Sequence, residues 1–181
     1  MLGIASGLIQ PRYSHRIKHT YTSDFTSDND GWNPVGIEGT LNQAFDQDIP
    51  GGSGGGWMKC KYDTTQTNIS SLSKSGSMMP AGGNQRVGDF AVMSFKIYLD
   101  GDWGGPDPVT GLVTNLTTAA IKSHEIPQDQ IVEVVHIADS TIVGFYSDIA
   151  QIRFDESGDL PQEDATFWLK DIKIDTYGYP L

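Results

Sequence analysis

The stretch Ala165-Thr-Phe-Trp-Leu-Lys-Asp-Ile-Lys-Ile-Asp175 carries the strongest information about the fold of this chain. It is dense in aromatic and β-branched residues, which favour strands. Side chains of a regular strand alternate between two faces. In a regular strand Phe167 and Leu169 would therefore lie on one face and the two later isoleucines on the other. One extra residue at Lys170 or Asp171, a β-bulge, would bring both pairs onto one face. The four core residues predicted in this way are Phe167, Leu169, Ile172 and Ile174.

The order of apolar, polar and acidic residues in this stretch resembles the closing strand of jelly-roll carbohydrate-binding modules of the galactose-binding-like type. Such modules open with a short strand, an acidic stretch and a Trp, and Ser23-Asp-Phe-Thr-Ser-Asp-Asn-Asp-Gly-Trp32 is similar to that opening. The resemblance implies an all-β jelly-roll sandwich in which the two segments pair as neighbours. Many short strands with turn signals between them are typical of a sandwich or barrel as well.

We predict eight to nine strands, of which Asp89–Asp100 is the clearest because its apolar residues alternate without a break. The glycine-rich run 51–56 is interpreted as a loop within one sheet, since the sequence before it lacks enough apolar residues for a separate core. Residues 109–125 are ambiguous between a short helix and irregular chain, and are interpreted as an insertion. The other predicted strands lie in 20–25, 39–45, 57–62, 68–72, 131–137, 141–154 and 165–175.

Charge divides the 181 residues into an N-terminal arm, residues 1–19, and a sandwich, residues 20–181. The whole chain has 12 basic and 23 acidic residues, a net charge of −11, but residues 1–23 carry three basic residues and no acid. An acidic body repels phosphate backbones, so nucleic acid is not an expected partner. No apolar run approaches the ~18 residues of a membrane helix, so no membrane is expected either.

The search for a catalytic site is negative, and we predict that the protein is not an enzyme. None of the four histidines has a metal-ligand spacing, and the sequence lacks the Gly-x-Ser-x-Gly motif of a nucleophilic serine. His136 lies in a predicted strand and is interpreted as an ordinary half-buried residue. The single Cys60 excludes an intrachain disulfide and is interpreted as a buried thiol.

Calcium is the one cofactor that the resemblance implies, as a structural ion between the opening and closing strands. Asp24 and Asp171 lie in those two segments and are the candidate ligands, because calcium prefers carboxylate oxygens. Lys170 departs from the family pattern, which has an acidic residue at this position. A cation there would compete with the metal, so the main expectation is that no cofactor is bound and that both aspartates are ordinary polar residues at strand edges.

Sugar binding requires exposed aromatic rings, on which pyranose rings stack. Trp103 lies in a loop rich in Gly, Pro and Asp with few apolar neighbours in the sequence, and is the first candidate for an exposed platform, with a core or crevice role as the alternative. Trp57 alternates with Met58 and Cys60 and is predicted to face outward. Trp103 and Trp57 are therefore the candidate sugar-binding residues, and Trp32 and Trp168 are assigned to the core.

The first residues, Met1-Leu-Gly-Ile-Ala-Ser-Gly-Leu8, resemble the N-termini of small virion proteins of tailed bacteriophages, in which a short apolar start precedes an extended arm. We expect the arm to lie extended against another subunit, because extended backbone needs hydrogen-bond partners. The alternative is that it folds back on its own acidic sandwich. The predicted docking residues are Leu2, Ile4, Leu8, Ile9, Arg12, Arg16 and Lys18.

Two functions from different classes follow. The favoured one is a structural virion protein of a tailed phage, such as a capsid decoration, head fibre or neck and tail component. It would be located in the virion, in many copies or as a homo-oligomer, and would bind other virion proteins through its arm. The alternative is a non-catalytic carbohydrate-binding module, disfavoured by a start at Met1 without a secretion signal. The two overlap if a virion protein presents a jelly roll to a host surface glycan.

Overall fold

The computed structural model describes residues 16–75, 89–101, 103, 107–116, 121–139, 149–155 and 160–178. Within these ranges all regular structure is β, and no helix is long and apolar enough to cross a membrane. The eleven strands are β1 (Arg16–Ser23), β2 (Asn33–Val35), β3 (Leu41–Gln47), β4 (Trp57–Tyr62), β5 (Ser70–Ser75), β6 (Phe90–Leu99), β7 (Val109–Asn115), β8 (Ile121–Ile126), β9 (Ile131–Asp139), β10 (Ile149–Phe154) and β11 (Thr166–Gly178).

The strands form two antiparallel sheets that pack as a sandwich. The first sheet has the order β3-β4-β11-β6-β9, and β1 also pairs with β11. The second sheet has the order β2-β5-β10-β7-β8. The predicted all-β jelly-roll sandwich is confirmed, with more strands than the eight to nine expected.

The closing strand β11 is the centre of the first sheet. On one side it pairs with β6, and on the other side with β4 through residues 166–169 and with β1 through residues 172–178. The register against β6 shifts between Lys170 and Lys173, which face Lys96 and Ser94. Two residues of β11 therefore lie opposite one residue of β6, and Asp171 has a φ of 55°.

This bulge confirms the prediction from the sequence. All four apolar side chains of the stretch are at most 1% exposed and belong to one hydrophobic core. Without the extra residue, Ile172 and Ile174 would lie on the outer face of the sheet. The bulge thus allows one strand to fill the core along its whole length.

The core between the sheets is rich in aromatic residues. Trp32 is fully buried, as predicted, and its Nε1 donates a hydrogen bond of 3.1 Å to Ser23 Oγ. Cys60 is also fully buried, and burial raises the pKa of its thiol. The Trp32 indole nitrogen has a hydrogen-bond partner and a thiol is only a weak donor, so the core can bury both side chains at little cost.

Two predictions about element boundaries need correction. Residues 109–125 are not an insertion, because β7 and β8 form a paired hairpin in the second sheet. Threonines and valines in this stretch are β-branched and favour strands, and pairing with β10 outweighs the weak helical pattern. The first strand begins at Arg16 rather than at residue 20, so Arg16, Ile17 and His19 of the predicted arm pair with β11.

Candidate functional site

A second group of aromatic side chains lies on the outer face of the first sheet, away from the core. It consists of Trp57, Tyr98 and Trp168, and we call it the outer aromatic cluster. In the sheet register Lys59 of β4 faces Trp168 of β11, which faces Tyr98 of β6. Tyr98 in turn faces Ile131 of β9, whose side chain is exposed. These side chains therefore form one row across four strands.

Two rings of the cluster hold each other in place. Tyr98 and Trp168 have ring centroids 5.4 Å apart at an interplanar angle of 85°, an edge-to-face contact. The Tyr98 hydroxyl donates to Asp129 Oδ1 at 3.2 Å, and the same oxygen accepts from Gly101 N at 2.9 Å. Burial, followed by the hydrogen bond to Asp129, raises the pKa of Tyr98. Rings fixed on strands in this way provide a rigid, preorganised surface.

Lysine side chains lie over two of the three rings of this cluster. Lys59 Nζ lies 5.4 Å from the centroid of Trp168, and Lys170 Nζ lies 5.7 Å from that of Trp57. Lys170 also donates a hydrogen bond of 2.6 Å to Gly55 O in the glycine-rich loop. The three rings are 3–6% exposed although they lie outside the core, because these lysines and the partly buried Ile49 lie against the cluster. Lysine side chains are flexible, so this cover differs from the fixed packing of a core.

Trp168 has an unusual hydrogen-bonding state. Its indole Nε1 is buried and has no hydrogen-bond partner among the residues that the structure describes. A buried donor without a partner destabilises a fold by about 1–3 kcal/mol. Such a donor suits a ligand with hydroxyl oxygens.

This face carries five lysines, on β4, β6 and β11. Three of its lysines pair with aspartates: Lys61 Nζ with Asp164 at 2.7 Å, Lys96 Nζ with Asp171 at 2.7 Å and Lys173 Nζ with Asp175 at 2.6 Å. Their hydrogen bonds to Asp171 and Asp175 raise the pKa of Lys96 and Lys173, respectively. Lys59 and Lys170 make no ion pair within the described ranges.

The structure changes the assignment of the tryptophans. Trp57 lies on the outer face, as predicted, but is covered. The prediction that Trp103 is an exposed platform is wrong, because its side chain is fully buried in the core. It packs 4.5 Å from the ring of Phe154 and makes an edge contact with Phe167 at 6.1 Å.

The other tryptophan assignment to change is that of Trp168, which was expected in the core but belongs to the outer aromatic cluster. Tyr98 of this cluster was not predicted as a site residue. The alternation of β6 does place it on the face opposite Ile97 and Phe95, which was the available signal.

Both candidate calcium ligands already have hydrogen-bond or ion-pair partners. Asp24 Oδ1 accepts hydrogen bonds from Thr26 N at 3.1 Å and Thr26 Oγ1 at 3.0 Å, and Asp171 pairs with Lys96. No group of three or more His, Cys, Asp or Glu suited to a metal occurs among the described residues. This donor set does not match the six to eight oxygens that calcium takes. Calcium binding stays an untested prediction.

The predicted docking arm lies mostly outside the described residues. Leu2, Ile4, Leu8, Ile9 and Arg12 are in residues 1–15, which the description does not include. Arg16 and Lys18 belong to β1, whose backbone pairs with β11 of the same chain. Docking of residues 1–15 on a neighbouring subunit stays a prediction.

Another polar cluster joins the two sheets at the edge formed by β8 and β9. Thr114 Oγ1 lies 2.8 Å from His124 Nε2 and 2.9 Å from His136 Nδ1. Burial is the main cause that lowers the pKa of both histidines to about 4, so both are neutral at pH 7. Lys122 Nζ donates to Val135 O at 2.8 Å beside them. We interpret this His-Thr-His cluster as a structural link between the sheets.

No protein-family model matches the chain, and a comparison with curated protein sequences gives no match either. Solved structures with the same architecture do match. The CBM22-1 xylan-binding domain of Xyn10C from Paenibacillus barcinonensis has 12% sequence identity and a TM-score of 0.51, over 90% of this chain and 96% of that domain.

Two further structures agree. The CBM22-2 xylan-binding domain of Xyn10C has 14% identity and a TM-score of 0.50, over 86% of this chain and 98% of that domain. The CBM22-1-GH10 modules of Clostridium thermocellum xylanase 10B, complexed with xylohexaose, have 14% identity and a TM-score of 0.50, over 87% of this chain and 28% of theirs. At these identities the likeness shows the fold, a sandwich of the kind found in carbohydrate-binding modules.

Proposed function

We propose that this protein is a non-catalytic glycan-binding module, and that the outer face of its first sheet holds the ligand. The observation that carries this proposal is the outer aromatic cluster. Trp57, Tyr98 and Trp168 lie outside the core and are not needed to fill the sandwich. Large aromatic side chains aligned across strands, beside unpaired polar groups, are the usual features of a surface that stacks sugar rings.

The structural neighbours support the same function. Two of them are described as xylan-binding domains, and a third was solved in complex with xylohexaose. Their fold alone does not assign a ligand to this chain, because one fold carries many functions. The proposal therefore depends on the side chains of this face.

Binding would use three properties of the face. Lys59 and Lys170 would move away from the rings of Trp168 and Trp57 and expose flat apolar surface to a pyranose ring. Trp168 Nε1 would donate its unmade hydrogen bond to a sugar oxygen. The rings themselves would not move, since neighbouring strands hold them, and little conformational entropy would be lost there.

The role as a structural protein of a phage virion stays a second hypothesis. It depends on the apolar, basic N-terminal arm, whose residues 1–15 lie beyond the described part of the chain. A glycan-binding sandwich carried on a particle by such an arm would satisfy both hypotheses. Deleting residues 1–15 and measuring incorporation into the particle would test the arm without altering the outer face.

Calorimetric titration with neutral xylo-, cello- and manno-oligosaccharides and with acidic polysaccharides tests the proposed function. We expect binding by the wild-type protein and an affinity at least tenfold lower, about 1.4 kcal/mol, for Trp168→Ala and for Trp57→Ala. Val35→Ala, which changes an exposed side chain of β2 in the second sheet, is the control and should leave affinity unchanged. Absence of binding to every glycan, or equal affinities of all variants, would contradict the proposal.

A further inference from the structure

The outer face of the first sheet carries most of the lysines of an acidic protein. The chain has a net charge of −11 and eight lysines. Five of these lysines lie on this face by the strand register, on β4, β6 and β11. They are Lys59, Lys61, Lys96, Lys170 and Lys173. Three of the five are paired with aspartates, so attraction of a negatively charged ligand depends on the other two.

Two of the five lysines are free to contact a ligand charge. Lys61, Lys96 and Lys173 are each paired with an aspartate. The ammonium group of Lys59 lies over the Trp168 ring, and that of Lys170 contacts the Trp57 ring and Gly55 O. Neither has a carboxylate partner in the described parts of the chain. Both uncompensated cations therefore lie directly above the rings.

Acidic groups also occur near this face, and their partners limit their effect. Asp129 Oδ1 accepts hydrogen bonds from Tyr98 and Gly101. Glu133 of β9 is exposed and faces Lys96, whose pKa it helps to raise. Asp48 and Asp46 accept hydrogen bonds from Gly55 N and Gly56 N in the loop that Lys170 contacts. None of these four carboxylates forms an ion pair with Lys59 or Lys170 within the described residues.

The position of these lysines distinguishes neutral from acidic ligands. A neutral sugar must move each ammonium group off its ring and offers only hydroxyl groups in return. A sugar with a carboxylate offers the displaced ammonium a charge-assisted hydrogen bond, which is roughly twice as strong as one between neutral groups. The lysine cover therefore disfavours neutral glycans and favours acidic ones.

Building on the proposed function, we infer that the ligand is an acidic glycan whose uronate carboxylates bind Lys59 and Lys170 while its rings stack on Trp168 and Trp57. The ligand class follows from the covered rings and the two unpaired cations. The aromatic surface supplies affinity for the sugar ring, and the lysines select for its charge.

Matched pairs of glycans test this inference. The pairs are polygalacturonate with its methyl ester, and glucuronoxylan with its carboxyl-reduced form, each titrated by calorimetry at low and at high salt. We expect at least tenfold tighter binding of the acidic member of one pair, and a preference that decreases with added salt. Sulfated and neutral oligosaccharides complete the panel.

Charge-removing variants assign the preference to particular residues. Lys59→Met and Lys170→Met keep most of the side-chain length, and each should reduce the acidic-to-neutral ratio severalfold. Lys59→Arg should retain it. Lys61→Met is the matched control, because it removes the same charge from a lysine two residues after Lys59. The Lys61 ammonium group is already paired with Asp164. This substitution should change the ratio less than twofold.

The outcomes separate this inference from the proposed function. Equal affinity for the acidic and neutral members of both pairs would overturn the inference and leave glycan binding intact. Binding of sulfated glycans but of no uronate would overturn the carboxylate assignment. Absence of binding to every glycan, neutral or acidic, would overturn both.

Discussion

Two groups of buried tryptophans occur in this protein, and they differ in what covers them. Trp32 and Trp103 are fully buried by the two sheets, among other aromatic rings. Trp57 and Trp168 are nearly as buried, but flexible lysine side chains cover them from outside. Trp32 Nε1 has a partner in Ser23, whereas Trp168 Nε1 has none in the described structure. Burial alone therefore does not separate residues that hold the fold from residues that bind a ligand.

The largest expected effect comes from truncation within the core. Phe167→Ala and Trp103→Ala should each reduce the free energy of unfolding by about 3–5 kcal/mol, because they remove contacts that the surrounding rings cannot restore. Chemical denaturation monitored by circular dichroism measures this loss. A loss below about 1 kcal/mol for Trp103→Ala would mean that this side chain does not belong to the core.

The next effect concerns pH and the His-Thr-His cluster. His124 and His136 have pKa values lowered to about 4, and an unfolded histidine titrates near 6.5. Between pH 4 and about 6.5 the histidines of the unfolded chain bind more protons than those of the folded chain. The stabilising contribution of the two neutral histidines is therefore complete above about pH 6.5 and is lost as the pH falls towards 4. We expect the free energy of unfolding to decrease by about 1–2 kcal/mol from pH 7.5 to 5.0, after allowing for partial exposure of His124.

A double variant tests whether the two histidines cause this pH dependence of the free energy of unfolding. His124→Gln with His136→Gln should flatten the curve between pH 7.5 and 5.0. The carboxyl groups of Asp63 and Asp175, whose pKa values are also lowered, titrate below this window. An unchanged slope in the double variant would show that other groups cause the effect.

An effect of similar size should distinguish the two tryptophan environments directly. Trp32→Phe removes the donor to Ser23 Oγ and should reduce the free energy of unfolding by about 1–3 kcal/mol. Trp168→Phe removes a donor that has no partner, and this gain offsets the packing lost with the larger ring. The net change in the free energy of unfolding should therefore be below about 1 kcal/mol. Equal losses in thermal and chemical unfolding would mean that Trp168 has the same structural role as Trp32.

The smallest effect is expected at the paired lysines of the outer face. Lys61 and Asp164 form an ion pair at 2.7 Å with side chains 44% and 72% exposed. Exposed pairs contribute about 0–1 kcal/mol. Lys61→Met should therefore leave the unfolding midpoint nearly unchanged, which makes it a suitable control for the glycan titrations. A large shift of the midpoint would disqualify it.

The sequence was sufficient to predict those features that depend on local periodicity. The bulge near Asp171 followed from four apolar residues that regular alternation would have divided between two faces. The glycine-rich run was predicted correctly as a loop, and it joins β3 and β4 of one sheet. Both inferences used only residues close together in the chain.

The features that the sequence did not predict depend on contacts between distant segments. Trp103 has few apolar neighbours in the sequence, but β10 and β11 bring Phe154 and Phe167 against it. The outer aromatic cluster requires the register of β4 and β6 against β11, which no single strand encodes. The lysines above its rings depend on the same register.

Indole resonances give the most direct test of ligand binding on the outer face. The chain has four tryptophans, so a ¹⁵N-labelled sample should give four indole signals, which single Trp→Phe variants assign. On addition of a bound glycan we predict that the signals of Trp57 and Trp168 shift with increasing ligand, and that those of Trp32 and Trp103 do not. Shifts confined to Trp32 or Trp103, or no shift at Trp168 when binding is saturated, would contradict binding on this face.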